Sequence, residues 1–100
     1  MISCILLTAG ESKRFGSPKA LADIGQNKAI QLLQQKLLQS IVDEIIIVTG
    51  ASESLIKPYV LNHSKVRLVH NKDYKFGQTS SFQTGLSIVD KNSFGFMLLP

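Results

Sequence analysis

One hundred residues, 44% of them apolar, with a formal net charge of +4, make a single ordinary globular domain with a modest core. The longest apolar runs, about six residues, are too short to span a bilayer, and the first residues lack the flank and cleavage site of a signal peptide, so a cytoplasmic protein with no membrane partner is expected. The cations are spread along the chain, without a like-charge block or aromatic interleaving, which argues against a nucleic-acid binder and leaves a polyanionic small molecule to account for the basic excess.

The first apolar run, Ile2 to Leu7, predicts a strand, with Cys4 inside it as a small buried hydrophobe. It stops at a long loop, Thr8 to Lys19, that holds Gly10, Gly16, Pro18 and the cations Lys13, Arg14 and Lys19. A strand ending in such a loop aims backbone N–H groups and fixed positive charge at one point, as a polyphosphate site requires. The spacing excludes the two commonest phosphate loops. A P-loop needs its second glycine followed directly by Lys and Ser or Thr, whereas Ser17 and Pro18 follow Gly16 here. The dinucleotide fingerprint needs three glycines, and Glu11-Ser12 follow Gly10 instead.

In residues 28–42 the apolar positions Ile30, Leu33, Leu37 and Ile41, with Ala29 and Leu38, recur at helical spacing and predict one buried stripe. Gln31, Gln34, Gln35 and Lys36 fall outside it. The run Ile45-Ile46-Ile47-Val48 within Glu44–Thr49 predicts a parallel strand covered on both faces. A short helix from Ser52 to about Val60 follows, with Ser52 as N-cap and Pro58 limiting it. Strands over Val66–His70 and Gly95–Leu99 flank a helix over Thr79–Val89, within which Gly85 predicts close packing. Before that helix lies Asn71-Lys72-Asp73-Tyr74, then Gly77-Gln78-Thr79-Ser80-Ser81. Gly77 permits a tight turn, and Thr79, Ser80 and Ser81 open the helix, either as caps or with free N–H groups facing a ligand. Alternation of strand and helix predicts an α/β, three-layer Rossmann-like domain over residues 1–100: a mostly parallel sheet of about four strands with helices on both faces. No Ser-His-Asp or paired-carboxylate arrangement stands out, and His63 and His70 lack a partner at zinc-ligand spacing.

The first loop, matching L-x-A-G-x-S-x-R-[MF]-G-x-x-K at Leu7, Ala9, Gly10, Ser12, Arg14, Phe15, Gly16 and Lys19, resembles the signature of the molybdenum-cofactor cytidylyltransferases, the MobA-like NTP transferases. The second segment is similar to their N-x-D-[YW], G-x-x-S-S and G-L elements, the last at Gly85-Leu86. The resemblance implies a nucleotidyltransferase that moves CMP or GMP from a triphosphate to a phosphorylated acceptor such as molybdopterin, releasing pyrophosphate. It implies Arg14 and Lys19 as the catalytic cations, and Leu7, Thr8, Ala9, Gly10, Ser12, Arg14, Gly16, Lys19, Gly77, Ser80 and Ser81 as the nucleotide site. Alanine at Ala9 resembles the cytidylyl group and tilts the choice toward CTP over GTP, while Thr8 departs from that group's alanine.

The family's Mg²⁺ is held by an aspartate in a D-x-P element after the fourth strand, which would fall beyond Pro100. The chain is therefore expected to be the N-terminal half of the family fold, truncated at its C-terminal end, binding nucleotide without turning it over. An exposed last strand would invite self-association, and the oligomeric state stays open. Two alternatives remain: a transferase acting on a sugar or alcohol phosphate, and a non-catalytic nucleotide-binding module.

Overall fold

The computed structural model describes residues 1–8, 21–93 and 95–99. Four strands, β1 (Ile2–Leu7), β4 (Glu44–Thr49), β5 (Val66–His70) and β6 (Gly95–Leu99), form one sheet in the order β5-β4-β1-β6. Every pairing in it is parallel. The chain steps outward from β1 through β4 to β5, then returns to the other side of β1 with β6. That reversal is the topological switch of a doubly wound sheet, so the expected Rossmann-like α/β architecture is present.

Helices cover both faces. On one, Cys4, Leu6, Ile45 and Ile47 pack with Ile30 and Leu37 of α1 (Ala29–Leu38) and Ile56 of α2 (Glu53–Ile56). On the other, Ile5, Leu7, Ile46 and Val48 pack with Phe82 of α3 (Gln78–Leu86) and with Ile88 and Val89. Alternate residues of β1 and β4 serve opposite faces, which is why both strands read as unbroken apolar runs. Cys4 is fully buried, and burial pushes its thiol up to about 11.

Several local expectations need correction. Gln34, placed outside the stripe by its spacing, is fully buried. Its Nε2 donates to Ile30 O (3.0 Å) and Tyr59 O (2.9 Å), and its Oε1 accepts from Leu61 N (2.8 Å). Ile41, placed inside the stripe, is 76% exposed. The helix has ended by then: Ser40 Oγ donates to Leu37 O, and the turn it makes sends Val42 inward instead. Ser52 stands at the N-cap of α2 but its side chain caps nothing there. Pro58 lies in a 3-10 turn, Lys57–Tyr59, where α2 ends.

A small antiparallel hairpin, β2 (Asp23–Ile24) with β3 (Asn27–Lys28), was not expected. Gly25 turns it at φ +65°, and Lys28 Nζ ties it to Asp23 at 2.7 Å. Asp23 accepting that hydrogen bond raises the Lys28 pKa above its ordinary value. Among the described residues no helix is long and apolar enough to cross a membrane.

Candidate functional site

In an open α/β sheet, ligands bind outside the carboxyl ends of the strands, beside the switch point. Here that edge is held together across three strands. Thr8, just past β1, gives both its N–H (2.9 Å) and its hydroxyl (2.8 Å) to Val48 O of β4. Thr49, at the end of β4, accepts from Asn71 N at 2.7 Å. The loop that starts at Ala9 and the segment that starts at Asn71 therefore leave the same edge, about two strand spacings, or ~10 Å, apart.

Of the expected site residues, Ala9, Gly10, Ser12, Arg14, Gly16 and Lys19 lie outside the described residues. The rest are described. Leu7 is a core residue in the cluster on the α3 side of the sheet. The Thr8 hydroxyl is absorbed by the backbone of β4. Gly77 has φ +95°, a conformation that strains any side chain, and no side chain caps the helix that begins after it.

Ser80 and Ser81 meet on Asn71, which the sequence marks only as the first letter of the N-x-D-[YW] match and not as a site residue. Asn71 is 2% exposed, and its Nδ2 donates to Ser80 Oγ (3.0 Å) and Ser81 Oγ (2.9 Å). Its Oδ1 accepts from Asp73 N at 3.0 Å, closing an Asx turn. The pattern Asn-x-Asp directly after a strand was the legible sign of that turn.

Helix α3 is fastened at its other end as well. Ser3 Oγ, Asp90 N and Arg67 Nη1 all donate to the buried carboxylate of Glu44, at 2.8, 3.0 and 3.2 Å. Arg67 also donates to Ile88 O, at 2.6 Å. These groups sit at the amino edge of the sheet, away from the site. Among the described residues no three His, Cys, Asp or Glu side chains gather to hold a metal.

The arrangement can present backbone N–H groups and a preorganised turn to a ligand lying across the carboxyl edge. Comparisons with known proteins bear on the family and the fold. The chain is 30% identical over 88 residues to the molybdenum cofactor cytidylyltransferase of Escherichia coli K12, covering 88% of this chain and 45% of that protein. A nucleotidyl transferase from Methanothermobacter thermautotroptrophicus superposes with a TM-score of 0.79 at 22% identity, over 98% of this chain and 50% of that one. The CTP:phosphocholine cytidylyltransferase of Streptococcus pneumoniae superposes with a TM-score of 0.53 at 29% identity, over 74% of this chain and 34% of that one. The chain thus spans about half the length, or less, of the relatives it matches. The family described as MobA-like NTP transferase domain matches residues 4–100, and the chain belongs to it.

Proposed function

We propose that these residues form the nucleoside-triphosphate-binding half of a nucleotidyltransferase of the molybdenum-cofactor cytidylyltransferase type. The observation that carries the reading is the shared carboxyl edge: the loop bearing the family signature and the Asn71–Ser81 segment leave it on either side of β4.

In the proposed reaction a phosphate oxygen of the acceptor attacks the α-phosphorus of CTP. The bond to the bridging oxygen of the β-phosphate breaks, and pyrophosphate leaves with the charge. Arg14 and Lys19 neutralise that charge. The forked guanidinium takes two phosphate oxygens, and the ammonium supplies a point charge. Gly77, Ser80 and Ser81 belong to the wall that receives the nucleoside, with Leu7, Thr8, Ala9, Gly10, Ser12 and Gly16 on the loop side. A single methyl at Ala9 narrows the base slot and favours CTP over GTP.

Among the described residues no group of three or more His, Cys, Asp or Glu side chains is placed to hold a metal. The divalent cation, Mg²⁺ in this proposal, would supply charge neutralisation at the phosphates.

Titration of CTP and of GTP into the protein, and into Arg14→Ala and Lys19→Ala variants, tests the reading. Each charge-assisted phosphate contact is worth about 1.5–3 kcal/mol, so each variant should bind roughly 10- to 100-fold more weakly. Unchanged affinity in both variants overturns it.

One observation favours a second acceptor class. The Streptococcus pneumoniae relative is a cytidylyltransferase for phosphocholine, an alcohol phosphate. Molybdopterin and an alcohol or sugar phosphate should therefore be compared as acceptors, with pyrophosphate release as the measurement.

A further inference from the structure

We propose that Asn71 is the positioning residue of the nucleoside-binding wall, and that Ser80 acts through it rather than by touching the nucleotide. The proposal rests on the nucleotidyltransferase reading above and deepens it. Asn71 is 2% exposed, so its carboxamide is out of reach of a ligand at the sheet edge. Its orientation is fixed by chemistry: the Asp73 N–H can only donate, so Oδ1 must face it, and both amide hydrogens then point at the two serine hydroxyls.

Ser80 is committed on both sides. Its oxygen accepts from Asn71, and its one proton has Gly77 O (2.8 Å) and Asp73 O (3.0 Å) as acceptors. Nothing of that hydroxyl's donor capacity is left for a base or ribose. What the hydroxyl does is tie the turn 71–77 to the first turn of α3. The contact then fixes where the backbone of Gly77, at φ +95°, and the residues after it stand relative to the sheet edge. Ser81, 3% exposed, anchors the same carboxamide from beneath. One buried amide therefore sets the position of the whole segment that meets the nucleoside, while the phosphates are held by the other loop.

That division of labour gives a test which a general loss of structure does not mimic. CTP and inorganic tripolyphosphate are titrated separately into the wild-type protein and into Asn71→Ala. The expected result is a CTP affinity lower by about tenfold with tripolyphosphate affinity changed by less than about twofold. Equal weakening of both ligands, or no change in either, overturns the proposal. Arg14→Ala, the control, should weaken both.

If wild-type protein binds no CTP, the nucleotide reading itself fails and the role of Asn71 falls with it. That result is distinct from normal CTP binding in the Asn71 variant. In the double variant with Ser80→Ala, losses no larger than those of Asn71→Ala alone support action through one clasp. Additive losses place Ser80 on the ligand and overturn that part. Should Asn71→Ala fail to fold, Ser80→Ala alone carries the same pair of titrations, with a loss of about threefold in CTP affinity expected. An unchanged CTP affinity there overturns the proposal.

Discussion

Gly85 of α3 lies so close to Ile5 of β1 that a Cβ on it would sit 2.7 Å from Ile5 Cγ2 and 3.2 Å from Val48 Cγ2. Both neighbours are fully buried and β-branched, so neither can swing aside. The glycine sets the spacing between helix and sheet.

Gly85→Ala should therefore destabilise the protein. Overpacking costs about 1–3 kcal/mol, and better helix propensity returns at most about 1 kcal/mol. A urea midpoint lower than wild type, at unchanged slope, is the expected reading. An equal or higher midpoint would mean that α3 can ride off the sheet.

Gln34 offers a second test, because its carboxamide joins α1 to the backbone at Tyr59 and Leu61. Gln34→Ala should lose about 2–4 kcal/mol, since it leaves a cavity and strands a part-buried N–H and carbonyl without this partner. Gln34→Leu should not restore stability, although it refills the space. Denaturation of the two variants side by side separates volume from hydrogen bonding, and a Leu variant as stable as wild type would remove the bonding role.

Cys4 makes stability fall in alkali. Its thiol moves from 9.0 to about 11 on folding, so between those values the unfolded chain has lost a proton that the native chain keeps. The unfolded state then binds fewer protons, and stability declines as pH rises from about 9 to about 11. Lys28, raised by Asp23, adds a decline of the same sign above its ordinary range. Comparison with Cys4→Ala isolates the thiol's share: the variant should show a shallower slope over that window. A native thiol that reacts with an alkylating reagent as fast as the denatured one would contradict its burial.

Much of the fold was legible because burial on both faces writes itself as uninterrupted apolar runs. Ile45 to Val48 announced a strand, and Ile2 to Leu7 its neighbour, without help from any partner element. Gln34 was misread for the converse reason. Helical periodicity weighs a side chain's polarity, whereas burial here was decided by free backbone groups at Tyr59 and Leu61. The hairpin Asp23–Lys28 has strands of two residues, too short to alternate, and only Gly25 hinted at a turn. At the site, Gly77, Ser80 and Ser81 stood out as residue types suited to a ligand-facing helix start. The amide that organises the serines stood only as part of a motif, since nothing in spacing alone tells that Asn71 is buried and bonded to both.

The strand order carries a consequence for how the molecule is made. β1 emerges first, and one of its edges can be closed early by β4 through the intervening α1. Its other edge waits for β6, drawn from the far side of the described chain. Pairings between such distant segments form slowly, because the loop must be closed before any contact rewards it. Until then an apolar strand that the finished fold buries on both faces has one row of amides and carbonyls open to any other chain. The hazard is one of time and belongs to the nascent or refolding polypeptide: a dilute, slow renaturation should recover more protein than a concentrated, rapid one.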